Sequence, residues 1–168
     1  MSAQKILGVD PGTQITGYGI INTSGASYNV VDYGCIKPPA NVKLSDRYLI
    51  IFNGIDELIE KHSPEALVVE TQFVNKNVQS AIKLGMARGI IILAAKRRGI
   101  PIFEYAPTRA KQAVVGNGRA SKSQVQTMVQ LLLRLSELPK PEDAADALAL
   151  AICHAHSARY RNLLDMEI

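Results

Sequence analysis

Two short apolar runs, each stopping at an acid, constrain this chain more than any other feature. Lys5 to Asp10 is the first, and Ala66-Leu67-Val68-Val69-Glu70 is the second. Runs this short and this apolar read as buried strands, which need cover on both faces. After the first run comes Asp10-Pro11-Gly12-Thr13. This is turn chemistry, in which Pro sets φ and Gly permits a positive φ. Ile15 to Thr23 and Tyr28 to Ile36 read as two further strands joined around Ser24-Gly25, and three strands in close succession predict an antiparallel meander.

The pattern then changes period. Leu44, Tyr48, Ile51, Phe52, Ile55, Leu58 and Ile59 recur at three and four, so Leu44 to Lys61 is predicted helical. Beyond Glu70, Asn77 to Arg98 reads as a long helix closed by Gly99, and Ile100 to Tyr105 as a strand. Ser121-x-x-Gln124 is a capping box for a helix through Arg134, and Pro141-Glu142 opens a last helix to about Ser157. Strands alternating with helices after a meander predict an α/β chain with a mixed sheet and helices on both faces. At 168 residues the chain can bury a sizeable core as one domain, expected over 1–158, with 159–168 as a flexible C-terminal tail.

Other features narrow the class. Cys35 and Cys153 stand far apart, which excludes a disulfide scaffold and a cysteine zinc site. Both are expected as small buried thiols. The most apolar stretch, Leu84 to Ala95, is short and carries Arg88, whereas a membrane span needs about 20 apolar residues. With no apolar signal-peptide core at the start, a cytoplasmic location and no membrane partner are expected. The helix from Asn77 to Arg98 is apolar nearly all round, so it is expected to be buried on more than one side. A net charge of +4 permits a phosphate-rich partner without requiring one.

The placement of acids points to chemistry. Sites in open α/β sheets form at the carboxyl ends of strands. If the strands ending at Asp10 and Glu70 are parallel neighbours, their carboxylates share one crevice. Asp143 and Asp146 lie three apart, hence on one helix face, among alanines that allow close packing. Singly, each acid is explained as well by a turn, a strand end or a helix N-terminus. Together, and without cysteine, they suit the hard cations Mg²⁺ or Mn²⁺.

Five segments in order carry a family resemblance. They are Gly8-Val9-Asp10-Pro11-Gly12-Thr13, Val68-Val69-Glu70-Thr71-Gln72-Phe73, Ser80 to Gly89, Lys122-Ser123-Gln124-Val125-Gln126, and Asp143-Ala144-Ala145-Asp146-Ala147-Leu148-Ala149. The chain resembles RuvC-type Holliday-junction resolvases from about Lys5 to His156. The resemblance implies an RNase H-like fold of the retroviral-integrase superfamily, with a five-stranded mixed sheet. It implies a homodimeric, Mg²⁺-dependent endonuclease of DNA recombination and repair, with Asp10, Glu70, Asp143 and Asp146 as catalytic, metal-holding acids. Mn²⁺ is expected to substitute, with two ions per site. The implied substrate is four-way junction DNA, nicked symmetrically on two strands of like polarity with a thymine-containing preference. The RuvA–RuvB branch-migration complex is the implied partner.

Because carboxylates repel phosphate, DNA contacts are expected elsewhere, at Arg109, Lys111, Arg119 and Lys122 around the flexible Gly116-Asn117-Gly118. Phe73, three residues past Glu70, either caps the core or stacks on an unpaired base, and the resemblance favours stacking. Gly85 and Gly89 offer a flat strip for a second copy of the chain. His154 is expected to be a partly buried structural residue, and His62 and His156 surface residues. Two rivals share parts of the pattern. A sugar-kinase or actin-like ATPase half also uses an Asp-x-Gly-Thr loop but needs a longer chain. A module that binds branched DNA without cutting would have no use for all four acids.

Overall fold

The computed structural model describes residues 3–71, 77–158 and 167–168. Five strands form one sheet, in the order β3-β2-β1-β4-β5. They are β1 (Gln4–Asp10), β2 (Thr16–Ser24), β3 (Ser27–Ile36), β4 (Ala66–Glu70) and β5 (Ile102–Tyr105). The first three form the expected antiparallel meander, turned at Gly25, whose φ is +57°. β1 also pairs in parallel with β4, and β4 with β5. Two acid-ending strands are therefore parallel neighbours at the centre of the sheet, with Val9 beside Val69.

The strands at the centre are buried on both faces, which explains their unbroken apolar runs. Ile6, Val68, Phe103 and Tyr105 face one core; Leu7, Val9, Leu67, Val69 and Ile102 face the other. Truncating Leu7 or Leu67, both fully buried, to Ala costs about 2–5 kcal/mol by transfer and cavity terms.

Helices α1 (Leu44–His62) and α2 (Val78–Arg97) cover the second core. α1 ends on Ser63 in the left-handed region, whose N–H closes onto the Ile59 carbonyl at 2.8 Å. α3 (Pro107–Val115), α4 (Lys122–Leu133) and α5 (Glu142–Ala158) cover the first core. The Ser121–Gln124 capping box forms as the spacing predicts, with both reciprocal bonds present.

Several expectations change. α3 is a nine-residue helix that apolar periodicity did not reveal; Pro107 opens it and Gly116 ends it at φ +81°. β5 starts at Ile102 rather than Ile100. Within the single chain, α2 is buried on one side. Only Ala87, Ile91, Ala94 and Ala95 are buried, while Val78, Ile82, Met86 and Leu93 are each at least half exposed. Among the described residues, α2 is long and apolar enough to cross a membrane by length and composition. It nevertheless packs on α1, where the Tyr48 hydroxyl donates to the Lys83 carbonyl at 3.1 Å.

His62 is not a surface residue. Its Nε2 stands 3.1 Å from Asp32 Oδ2, with only 12% of the side chain exposed. Cys153 is buried but Cys35 only partly so. His154 is fully rather than partly buried, bonded through Nδ1 to the Tyr105 hydroxyl at 3.0 Å. At the end of the chain, Glu167 bridges Phe103 and the Ile168 N–H donates to the Ile102 carbonyl at 2.9 Å. These two residues thus pair with the edge of β5, and the rest of the expected tail, 159–166, lies outside the described residues.

Candidate active site

α5 reaches the site because the sheet beneath it has no side chains in the way. A Cβ at Gly8 would collide with the Ala147 carbonyl oxygen, and one at Gly17 with the carbonyl of Asp143. Glycine in a strand often marks such a close backbone approach. Alanines supply the matching face on α5: Ala144, Ala147 and Ala151 are fully buried. Glycine on the strands and alanine on the helix thus bring Asp143 and Asp146 down to the strand ends.

The expected convergence occurs. Side chains alternate along a strand, so Asp10 falls on the same face as Ile6, and Glu70 on the same face as Val68. That is the face covered by α5. Asp10, Glu70 and Asp146 line a cleft of about 310 Å³ together with Lys111 and Lys122. Asp143 stands against Gly17 at the β2 side, outside that lining but in electrostatic contact with Asp10.

Crowding perturbs these carboxyls. Burial, followed by the charges of Glu70, Asp146 and Asp143, pushes Asp10 up to about 8. Glu70 is raised by burial and by Asp146, against the pull of Lys111 and Lys122. Asp146 is raised by burial, with Lys122 opposing and Asp143 and Glu142 assisting. Lys122 is raised in turn, first by Asp146. Such mutual perturbation in a cleft is characteristic of functional sites.

The lysines differ from expectation. Lys111 from α3 and Lys122 from α4 enter the acidic cleft itself rather than forming a separate surface. Lys122 Nζ also stands 3.5 Å from Glu142 Oε2. Carboxylates and ammonium groups offset one another here, so a phosphate can approach lysines beside the acids. Arg109 and Arg119 do not line the cleft. The Arg109 guanidinium lies 5.4 Å from the Tyr105 ring centroid, and the Arg119 backbone N–H bonds Asn117 Oδ1 at 2.9 Å. Gly85 and Gly89 lie exposed on the outer face of α2. Phe73 falls outside the described residues.

Divalent cations suit this donor set. All four candidate ligands are carboxylate oxygens, and their mutual repulsion is the penalty that a hard cation removes. Among the described residues, no three acidic, His or Cys side chains form a ready-made metal cage.

One contact escaped the sequence reading. Arg88 of α2 donates through Nε to the backbone carbonyl of Glu70 at 3.2 Å and pairs with the Glu104 carboxylate on β5. A single Arg inside an apolar helix was the available signal, and its partners depend on the fold.

Comparison with known proteins places the chain in a family. The sequence profile described as "Crossover junction endodeoxyribonuclease RuvC" matches residues 6–154. A protein of that description from Protochlamydia amoebophila is 69% identical over 150 residues, covering 89% of each chain. Another, from Ruminiclostridium cellulolyticum, is 50% identical over 159 residues, covering 95% of this chain and 96% of that one. Among solved structures, T. thermophilus RuvC in complex with a Holliday junction substrate superposes with a TM-score of 0.87 at 34% identity, covering 93% of this chain and 95% of that one. With its RNase H-like sheet and four acids at the strand ends and on α5, the chain belongs to the RuvC family of crossover junction endodeoxyribonucleases.

Proposed function

We propose that this chain resolves Holliday junctions in DNA recombination and repair, with Asp10, Glu70, Asp143 and Asp146 as its catalytic acids. One observation carries the reading: acids from two parallel strand ends and one helix meet beside two lysines in a single cleft. Asp10 is central, because it combines the deepest burial of the strand-end acids with the charges of all three other carboxylates.

The four acids would hold divalent cations, Mg²⁺ with Mn²⁺ as a substitute, two per site. Held there, such ions would supply Lewis acidity toward a phosphate and a lowered pKa for a bound water. The chain's own groups do the rest. Lys111 and Lys122 offset negative charge where a scissile phosphate enters, and their ammonium groups can bond its non-bridging oxygens. Arg109 and Arg119 lie farther out, placed to meet flanking backbone. Phe73 follows Glu70 by three residues, and we assign it to stacking on an unpaired base at the junction centre.

Two cuts need two sites, and one chain holds one. The outer stripe of α2 supplies a means of pairing. Val78, Ile82, Met86 and Leu93 present exposed apolar side chains, and Gly85 and Gly89 allow close approach. A second copy meeting the same stripe by a twofold axis would cover this surface and give symmetric cuts on strands of like polarity. Cooperation with a RuvA–RuvB branch-migration complex in the cytoplasm completes the proposal.

A nicking assay on a synthetic four-way junction, with and without Mg²⁺, tests it. Wild type should nick two strands symmetrically only with the ion. Asp10→Asn should lose cleavage and keep junction binding in Mg²⁺. Retained nicking by Asp10→Asn would sink the catalytic assignment, and ATP hydrolysis without nicking would favour the ATPase rival.

A further inference from the structure

We propose that Arg88 is a positioning residue for Glu70, replacing a ladder hydrogen bond that the sheet cannot supply at that point. This inference rests on the reading of Glu70 as a catalytic, metal-holding acid.

The argument begins with backbone alternation. Leu67 N–H donates to the Pro101 carbonyl, and Thr71 N–H to the Tyr105 carbonyl, each at 3.0 Å. Odd-numbered residues of β4 therefore bond toward β5, and the even-numbered ones, including Glu70, are turned toward β1. The parallel register ends at Val9 beside Val69. Continued by one step, it would make residue 11 the donor to the Glu70 carbonyl. Residue 11 is Pro, which has no N–H. The turn that ends β1 at Asp10 thus removes the bond that would have held the peptide after Glu70.

Arg88 fills the gap. Its Nε donates to the Glu70 carbonyl at 3.2 Å, and its terminal nitrogen pairs with the Glu104 carboxylate. Glu104 lies opposite Val69 in the β4–β5 register. The guanidinium therefore ties the last peptide of β4 to the adjacent strand, and a planar fork serves two acceptors where an ammonium would serve them poorly. The Arg88 side chain is 21% exposed and the Glu104 side chain 36%, so water does not replace the pair freely. Arg88 is also carried by α2, the helix that bears the exposed apolar stripe. The position of that helix is thereby linked mechanically to the carboxylate of Glu70.

Arg88→Met and Arg88→Lys test the assignment, with Glu70→Gln and Arg98→Met alongside. Arg98 pairs with Asp56 at 2.7 Å and Glu60 at 3.3 Å, away from the cleft, and controls for the general loss of a helix-end ion pair. Supporting groups around a metal site are worth about tenfold to a hundredfold in metal affinity or activity. Both Arg88 variants should lower kcat on a four-way junction by about tenfold or more, with junction Kd within about twofold of wild type. Mn²⁺ affinity measured by titration calorimetry should weaken in parallel by about tenfold, while Arg98→Met leaves both unchanged. If Arg88→Met does not fold, Arg88→Lys decides. A folded Arg88→Lys protein with wild-type kcat and wild-type Mn²⁺ affinity overturns the inference. So does a kcat loss fully matched by Arg98→Met. An active Glu70→Gln would instead overturn the underlying reading of Glu70.

Discussion

α5 and α2 are both long apolar helices on one sheet, yet the fold treats them in opposite ways. α5 has eleven buried residues in seventeen and lies directly on strand backbone at Gly8 and Gly17. α2 has four buried residues in twenty and turns an apolar stripe outward. The difference lies in what faces each helix. Under α5, missing strand side chains let alanines descend until two aspartates reach the strand ends. Above α2, the chain provides no cover among the described residues. A helix's apolarity shows that it needs covering but does not identify the cover.

The comparison breaks most sharply at the glycines. Gly8→Val would force a branched side chain into the α5 backbone, with no flexible side chain to yield. Overpacking of this kind costs about 3 kcal/mol or more. Urea denaturation should show that loss, together with lost junction cleavage, because Asp143 and Asp146 ride on the displaced helix. A near-wild-type midpoint would mean that α5 does not need the close approach. At the other helix the expected change in chain stability is small. Ile82→Asp sits on the exposed stripe of α2 and should alter monomer stability by about 1 kcal/mol or less. Its effect should appear in light scattering, as a shift from dimer to monomer. A wild type that already scatters as a monomer, or a dimer unchanged by the substitution, would remove this stripe as the pairing surface.

Much of this was legible in the sequence, for physical reasons that can be named. β1 and β4 announced themselves because central parallel strands are apolar on both faces. The acids were legible because each interrupts such a run at its end, or repeats at a helical spacing of three. Other features depended on tertiary contact. α3 is too short for periodicity to show. His62 looked exposed in sequence but meets Asp32, thirty residues away. Lys111 and Lys122 were visible as bases, but only the packing of α3 and α4 against α5 turns them into the acids' own cleft. The role of Gly8 was hidden for the same reason. In the sequence it is one residue of a motif, whereas in the fold it is the space that α5 occupies.

The central claim is that acids from β1, β4 and α5 act as one cation site, and the melting temperature tests it without an assay of cleavage. Without a cation, Asp10 is raised from 3.8 to about 8. A folded value above the unfolded one means that the folded state is most favoured below pH 3.8 and is penalised progressively as pH rises through about 8. Mg²⁺ should offset that penalty. Wild-type Tm should therefore rise on adding Mg²⁺, more at about pH 8 than at about pH 6, and the rise should disappear in Asp10→Asn. A Tm indifferent to Mg²⁺ at both pH values, or a full rise in Asp10→Asn, would contradict the account.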